Sequence, residues 1–373
     1  MSTAVTPPTR EPFGTAPDGR AVELWRLTSA AGVSAEILTY GGVLHALHVP
    51  DRAGRTASVV LSLPDAAAYA TRSPYFGALV GRYANRIAEG RFTLDGRVHH
   101  LPVNDRGHTL HGGPDGFHRR IWRAEPLSDG SLRLSLNSPD GDMGFPGAVE
   151  VTATYALDAA GTLALDFEAR TDRPTVVNLT NHAYFNLAAA QDGPDSDGGG
   201  SGDGSVLRHV LRVDADRYLP VSPEGIPWGP ELDVSGTPFD FTVPRPVGDG
   251  IDRPDPQLKA AGGYDHCWVL RSPGGSGAPR TAAVLHEPDS GRTLEVRTTE
   301  PGVQVYTANG LEGAPAGPDG HRQDAHSAIC LETQHLPDSP NRPEYPSTVL
   351  RPGEVFRSRT EFRFPHLDGR SAG

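Results

Sequence analysis

No stretch of the chain approaches the roughly 18 unbroken apolar residues that a membrane-crossing helix requires, so neither a spanning segment nor a membrane partner is expected. Cysteine is scarce. The two cysteines among 373 residues, Cys267 and Cys330, sit in the apolar stretches "DHCWVL" and "AICLET". Each reads as a small buried hydrophobe and not as half of a disulfide. Met1 to Gly14 carry prolines, hydroxyls and charges but no apolar h-region, so no secretory signal is read there and the cytoplasm is the expected compartment. Basic charge is in deficit. With 34 Lys and Arg against 46 Asp and Glu, the formal net charge is −12, which argues against a nucleic-acid backbone or an anionic membrane as partner. Nucleotide and nucleophile templates are missing too: the chain has no G-x-x-x-x-G-K-[ST], no G-x-S-x-G elbow and no G-x-G-x-x-G opening a helix.

What the chain has in abundance is glycine and proline, 44 and 35 residues, which punctuate helices badly and suit many strands joined by turns. The recurring period is two. In "TLALDFEAR", Leu163, Leu165 and Phe167 alternate with Ala164, Asp166 and Glu168, and "SLRLSL" and "RSRTEFRF" behave alike, as half-buried antiparallel strands do. Asp95-Gly96 between "RFTL" and "RVHHL" predicts a two-residue hairpin. One short helix is expected over 64–71, "PDAAAYAT", opened by Pro64 and Asp65. Without long amphipathic helices or strand-helix alternation, the fold class is all-β, a sandwich or barrel.

The length admits one large domain or two. The tract "QDGPDSDGGGSGDGS", 191–205, offers too little apolar area to pack and reads as a surface loop. It could also be a linker, but similar strands flank it, so one domain over 1–373 is expected. About ten residues at the N-terminus and seven at the C-terminus should be loose, and "SPGGSGAP", 272–279, reads as a second surface turn.

Polar residues standing where a strand-rich chain prefers apolar ones mark the chemistry. Glu332 ends an apolar run, Ser327 to Leu331, that reads as a central strand. Burying an ionised carboxylate costs several kcal/mol without a partner, so it has either a structural cation, for which Arg86 is available, or a task. His182 in "NLTNHAYFNL" is either a hydrogen-bonded core histidine or a proton donor, and its flanking asparagines could orient the ring. His111 in "LHGG" is followed by two glycines that would let a ligand approach the backbone. Asn85, Arg86, Tyr184, Asp265 and Gln304 complete an inventory of planar and forked groups that suits a hydroxyl-rich ligand. The 15 histidines show no metal pattern: His45 and His48 should face opposite sides of a strand, His99-His100 likewise, and His321 and His326 lack partnered spacing.

Seven blocks, "YFGALVGRYANRIAEGRF", "TLHGG", "SPDGDMGFPG", "VVNLTNHAYFNL", "GGYDHCWVL", "PGVQVYTANGL" and "CLETQHLPDSPN", together resemble the aldose 1-epimerase (galactose mutarotase) family, in the family's order from about Gly14 to Phe364. The resemblance implies a large antiparallel β-sandwich with an open cleft. It implies Glu332 as general base and His182 as general acid, with Asn85, Arg86, His111, Tyr184, Asp265 and Gln304 contacting the sugar. It also implies a free aldohexose such as glucose or galactose as substrate, no cofactor, no metal, and a monomer or homodimer. Tyr83, where a small apolar residue is expected, and His335, where Asn is commoner, are departures that could alter which sugar fits. Three alternatives stay open: a hexose-phosphate epimerase, a non-catalytic sugar-binding module, and a glycoside hydrolase with Asp265 as second carboxylate.

Overall fold

The computed structural model describes residues 6–73, 75–189, 204–271, 277–318, 320 and 323–368. Most of the 191–205 tract and of the 272–279 turn therefore lies outside the described residues. The period-two stretches form strands, and the named strands pair antiparallel throughout. Two sheets matter for the site. A nine-stranded sheet runs, in spatial order, through Arg123–Pro126, Leu132–Ser138, Val149–Leu157, Leu163–Thr171, Phe356–Arg363, Thr293–Thr298, Arg280–His286, Val210–Val213 and Arg245–Pro246. A six-stranded sheet runs through Tyr184–Phe185, Ile329–Gln334, Gly302–Tyr306, Asp265–Val269, Arg217–Leu219 and Leu232–Asp233.

The alternation decides which face is which. Leu163, Leu165 and Phe167 of the first sheet and Trp268, Val303, Val305, Ile329 and Leu331 of the second meet in one hydrophobic cluster. On the outer face of the first sheet, Asp166 and Glu168 instead pair with Arg359 and Arg357, at 2.7 and 3.0 Å. The hairpin at Asp95-Gly96 forms as its sequence demands, with both residues at positive φ, 49° and 76°.

The helix expected over 64–71 spans Ala66–Arg72, with Asp65 as its cap accepting from the Ala68 amide at 2.8 Å. Two further short helices, Gly248–Ile251 and Pro256–Ala261, were not anticipated. The second carries legible signals: Asp255 caps it, Pro256 opens it and Gly262 closes it in the left-handed conformation. Strand pairing at this end begins with Thr9 and Arg10, opposite Arg26 and Trp25. At the other end, Leu367 is buried. Among the described residues, no helix is long and apolar enough to cross a membrane.

Histidines are unusually deep in this fold. Burial pushes the imidazoles of His45, His182, His209 and His266 down to about 4, and that of His118 to about 3. They are neutral when folded, whereas the unfolded chain protonates them below their ordinary value near 6.5. The folded state therefore loses stability as pH falls from about 6.5 toward 4, by about 1 kcal/mol per imidazole near pH 5.5. Thermal melts at about pH 7.5 and 5.5 should show a clearly lower Tm at the acidic value. An unchanged Tm would mean that these rings titrate in the folded protein.

Candidate active site

The register of the six-stranded sheet builds one wall of the site. Glu332 stands opposite Gln304, Gln304 opposite Cys267, Tyr306 opposite Asp265, and Cys330 opposite Tyr184. Directly opposed residues share a face, as do residues two apart, so Tyr184, Cys330, Glu332, Gln304, Tyr306 and Asp265 all project from the same side. The other side carries Phe185, Ile329, Leu331, Val303 and Val305 into the core. A strand's period of two thus suffices to place carboxylates and phenols on the face that the core does not use.

The opposing wall comes from "GRYANR" and "HTLHGG". Arg86–Ile87 pairs with Thr109–Leu110, and Asn85 and His111 exchange backbone and side-chain bonds. The His111 amide donates to the Asn85 carbonyl at 3.0 Å, and the Asn85 amide donates to His111 Nδ1 at 3.1 Å. Nδ1 must then be unprotonated, so neutral His111 carries its proton on Nε2. Burial holds its pKa well below the ordinary value, leaving an uncharged N–H donor. The glycines after His111 serve the backbone and not a ligand: a Cβ on Gly112, at φ 80°, would lie 2.1 Å from the Gly81 carbonyl oxygen.

Between these walls lies a cleft of about 330 Å³, lined by seven of the eight expected residues: Asn85, Arg86, His111, His182, Tyr184, Asp265 and Glu332. Gln304 projects from the same face without lining the cleft, its amide donating to Asp265 Oδ1 at 2.7 Å. Arg86 is not the partner of Glu332. Its Nε donates to Asp105 Oδ2 at 2.8 Å, and Gly225 packs so closely on the guanidinium that a Cβ there would lie 2.9 Å from Cζ. Tyr83 and His335 do not reach the cleft either. Tyr83 is buried with Phe92 and Phe145, and His335 Nδ1 pairs with Glu300 Oε2 at 2.5 Å.

Glu332 and His182 meet at the floor. His182 Nε2 lies 3.7 Å from Glu332 Oε1, both side chains almost wholly buried. Burial raises the Glu332 pKa well above the ordinary carboxylate value, Asp265 adding to the rise and Arg86 opposing it. Burial also lowers His182 to about 4, against the pull of its own backbone carbonyl and of Asp265. The asparagines flanking His182 do not hold its ring. Asn181 Nδ2 donates to the Gly77 carbonyl at 2.7 Å, Asn186 Nδ2 donates to the carbonyls of Gly204 and Ser327 at 2.8 and 2.9 Å, and Asn178, further upstream, bridges the backbone of Ala84 and His335. The ring is held instead by Tyr184, nearly parallel at 5.0 Å, and by Cys330, whose Sγ lies 3.5 Å from Nδ1. Cys330 is thus more than a buried hydrophobe, while Cys267 packs with Leu219, Leu336 and Tyr345.

His111, His182 and Glu332 bring possible metal-ligand atoms within 4.8 Å of one another. The donor set does not fit a metal, because a ligating histidine donates its second N–H outward, whereas His111 Nδ1 receives one from Asn85. A second groove, of about 460 Å³, lies on the outer face of the nine-stranded sheet. Its Arg297, Arg359 and Arg363 are already paired with Glu361, Asp166 and Glu295. Local sequence reasoning missed Tyr75, Asp105 and Tyr306, of which Tyr75 and Tyr306 line the cleft. Tyr306 was recoverable, since it lies two residues beyond Gln304 on a strand.

Comparison with known proteins agrees with this geometry. A family model described as aldose 1-epimerase matches residues 23–363. The chain is 42% identical to galactose mutarotase of Rattus norvegicus over 357 residues, 95% of this chain and 98% of that protein. It is 37% identical to aldose 1-epimerase of Escherichia coli K12, covering 94% and 97%. Among solved structures it resembles galactose 1-epimerase from Lactobacillus acidophilus, with TM-score 0.80 and 27% identity over 96% and 98% of the two chains. An aldose epimerase homologue from C. elegans gives TM-score 0.79 and 26% identity over 92% and 99%. With the family model spanning nearly the whole chain and both protein relatives matched almost end to end, the chain belongs to the aldose 1-epimerase family.

Proposed function

We propose that the protein is an aldose 1-epimerase, an isomerase that interconverts the α and β anomers of free hexoses such as galactose and glucose, with Glu332 as base and His182 as acid. The observation that carries this reading is the buried Glu332–His182 contact at 3.7 Å inside a cleft lined with polar groups. The same reading takes the chain as a single domain acting in the cytoplasm. Its one-domain part is supported by a hydrophobic cluster drawing on residues from Trp25 to Leu367.

The pair works with one proton between its members. In the ionised form, Glu332 accepts the proton of the anomeric hydroxyl while His182 Nε2 donates its proton to the ring oxygen. The C1–O5 bond breaks, its electrons going to O5, and the O1 lone pair closes the aldehyde. Rotation about C1–C2 presents the other carbonyl face, and the reverse transfers reclose the ring as the opposite anomer. After ring opening the pair is a neutral acid and a neutral imidazole, the state that burial favours by pushing Glu332 up and His182 down. The desolvated pocket therefore strengthens both the base and the acid for the opening step. Neutral His111 is placed to donate through Nε2, and Asp265, held by Gln304, to accept from a sugar hydroxyl.

The pH dependence follows from the same directions. Below about 4, His182 also binds a proton and the pair carries two, so the base is blocked. Above the raised Glu332 value the pair has none, so the acid is lost. kcat/KM should fall below pH ~4 and hold a plateau reaching well above the ordinary glutamate range. Two limbs at the unperturbed values near 4.3 and 6.5 would contradict this arrangement.

Polarimetry on freshly dissolved α-D-glucose and α-D-galactose, beside a hexose phosphate and an aryl glycoside, tests the function. The expected result is faster decay of optical rotation for a free hexose with no glycoside cleavage. Acceleration confined to the phosphate would favour the hexose-phosphate epimerase, release of the aryl group the glycoside hydrolase, and no effect on any substrate the binding module.

A further inference from the structure

Four residues lining the cleft adopt a left-handed backbone without being glycine: Tyr75 at φ 69°, Asn85 at 60°, Arg106 at 42° and His111 at 51°. Asparagine and histidine tolerate this region, but an aromatic residue rarely does, because its Cβ crowds the backbone. Such conformations persist where the surroundings enforce them, and they gather at ligand sites. Here the Phe76 amide donates to Ser73 Oγ at 3.0 Å and the Ala78 amide to the Tyr75 carbonyl at 3.0 Å. The Gly77 amide donates to the His182 carbonyl at 2.9 Å, tying the turn to the segment that carries the acid.

The turn delivers the Tyr75 ring to the centre of the site. It lies nearly parallel to His182 at 5.7 Å, and edge-on to His111 and His118 at 4.5 and 4.6 Å. Burial raises the pKa of its hydroxyl to about 12, Asp105 adding to the rise and Arg86 and Arg119 opposing it. It therefore stays protonated at physiological pH and able to donate.

We propose that Tyr75 is a substrate-contacting residue: its ring forms the wall of the cleft beside His182, and its hydroxyl bonds a sugar hydroxyl on the side of Arg86. This rests on reading the cleft as an aldose site. A ring that only packs against His111 and His118 would leave the hydroxyl dispensable. An aromatic face beside an imidazole also stabilises the imidazolium that must form there, so removing the ring should affect turnover and removing the hydroxyl should affect binding.

Tyr75→Phe and Tyr75→Leu separate the two roles, with kcat and KM for galactose from polarimetry, Kd from calorimetry, and thermal melting as the control for folding. Tyr75→Phe should raise KM and Kd together by about three- to tenfold with kcat changed less than about twofold. Tyr75→Leu should in addition lower kcat and shift the acid limb of the pH profile. A Tyr75→Phe protein with wild-type KM and Kd overturns the proposal, whether or not the Leu variant folds. If the wild type binds galactose without turning it over, the epimerase reading fails while the Kd series still decides Tyr75. A wild type that binds no aldose overturns both.

Discussion

Glu332→Gln should lower kcat for galactose about 10²- to 10⁴-fold, or roughly 3 to 5 kcal/mol of barrier, while KM changes little. Gln keeps the shape of the side chain and can still hydrogen-bond, but it cannot take a proton from the anomeric hydroxyl. The loss therefore falls on the chemical step. Stability should not suffer. Glu332 is 2% exposed, and its Oε2 has no hydrogen-bond partner among the described residues. An amide in its place relieves a buried carboxyl whose desolvation folding must offset, so the variant should melt at or above the wild-type temperature. Steady-state polarimetry and a thermal melt on one preparation check both halves. Near-normal turnover in Glu332→Gln would remove the base from the mechanism.

His182→Asn should cost a similar 10²- to 10⁴-fold in kcat, because it removes the imidazole that faces Glu332 at 3.7 Å and is the proposed donor to the ring oxygen. His111 is the nearest imidazole, its ring centroid 5.3 Å from that of His182. It cannot substitute, since its Nδ1 accepts from the Asn85 amide and so cannot take the second proton of an imidazolium. The two losses should not add. In the proposed mechanism Glu332 and His182 share one proton through each half of the cycle, so the double variant should fall little below either single one. Fully multiplicative losses would show that the residues act independently.

Much of the fold was legible because one face of each strand must be buried. Leu163, Leu165 and Phe167 declare a strand by themselves, and Asp95-Gly96 declares its turn. The site was legible to the extent that strands carry it. Glu332, Gln304 and Asp265 interrupt apolar runs, and a period of two puts each on the non-core face. What could not be read is pairing between distant segments. Arg86 looked available to Glu332, yet Asp105, 19 residues on, takes its Nε, because the turn through Asn104 and His108 folds that carboxylate back. Tyr75 has no local signature, since it is brought to the cleft by the ties of Gly77 and Ala78 to Asn181 and His182, a distant segment. Likewise, nothing beside Asn178 or Asn181 in the chain reveals that both bond backbone carbonyls from other segments.

In the proposed mechanism the anomers exchange by proton transfer between oxygens through Glu332 and His182, leaving every C–H bond intact. Magnetisation exchange between the α and β anomeric protons of galactose in D₂O measures this at equilibrium, without a coupling enzyme. Exchange should increase in proportion to wild-type enzyme, fall at least about 10²-fold in Glu332→Gln, and leave the C1 and C2 protons undeuterated. No enzyme-dependent exchange, deuterium at either carbon, or undiminished exchange in Glu332→Gln would contradict that mechanism.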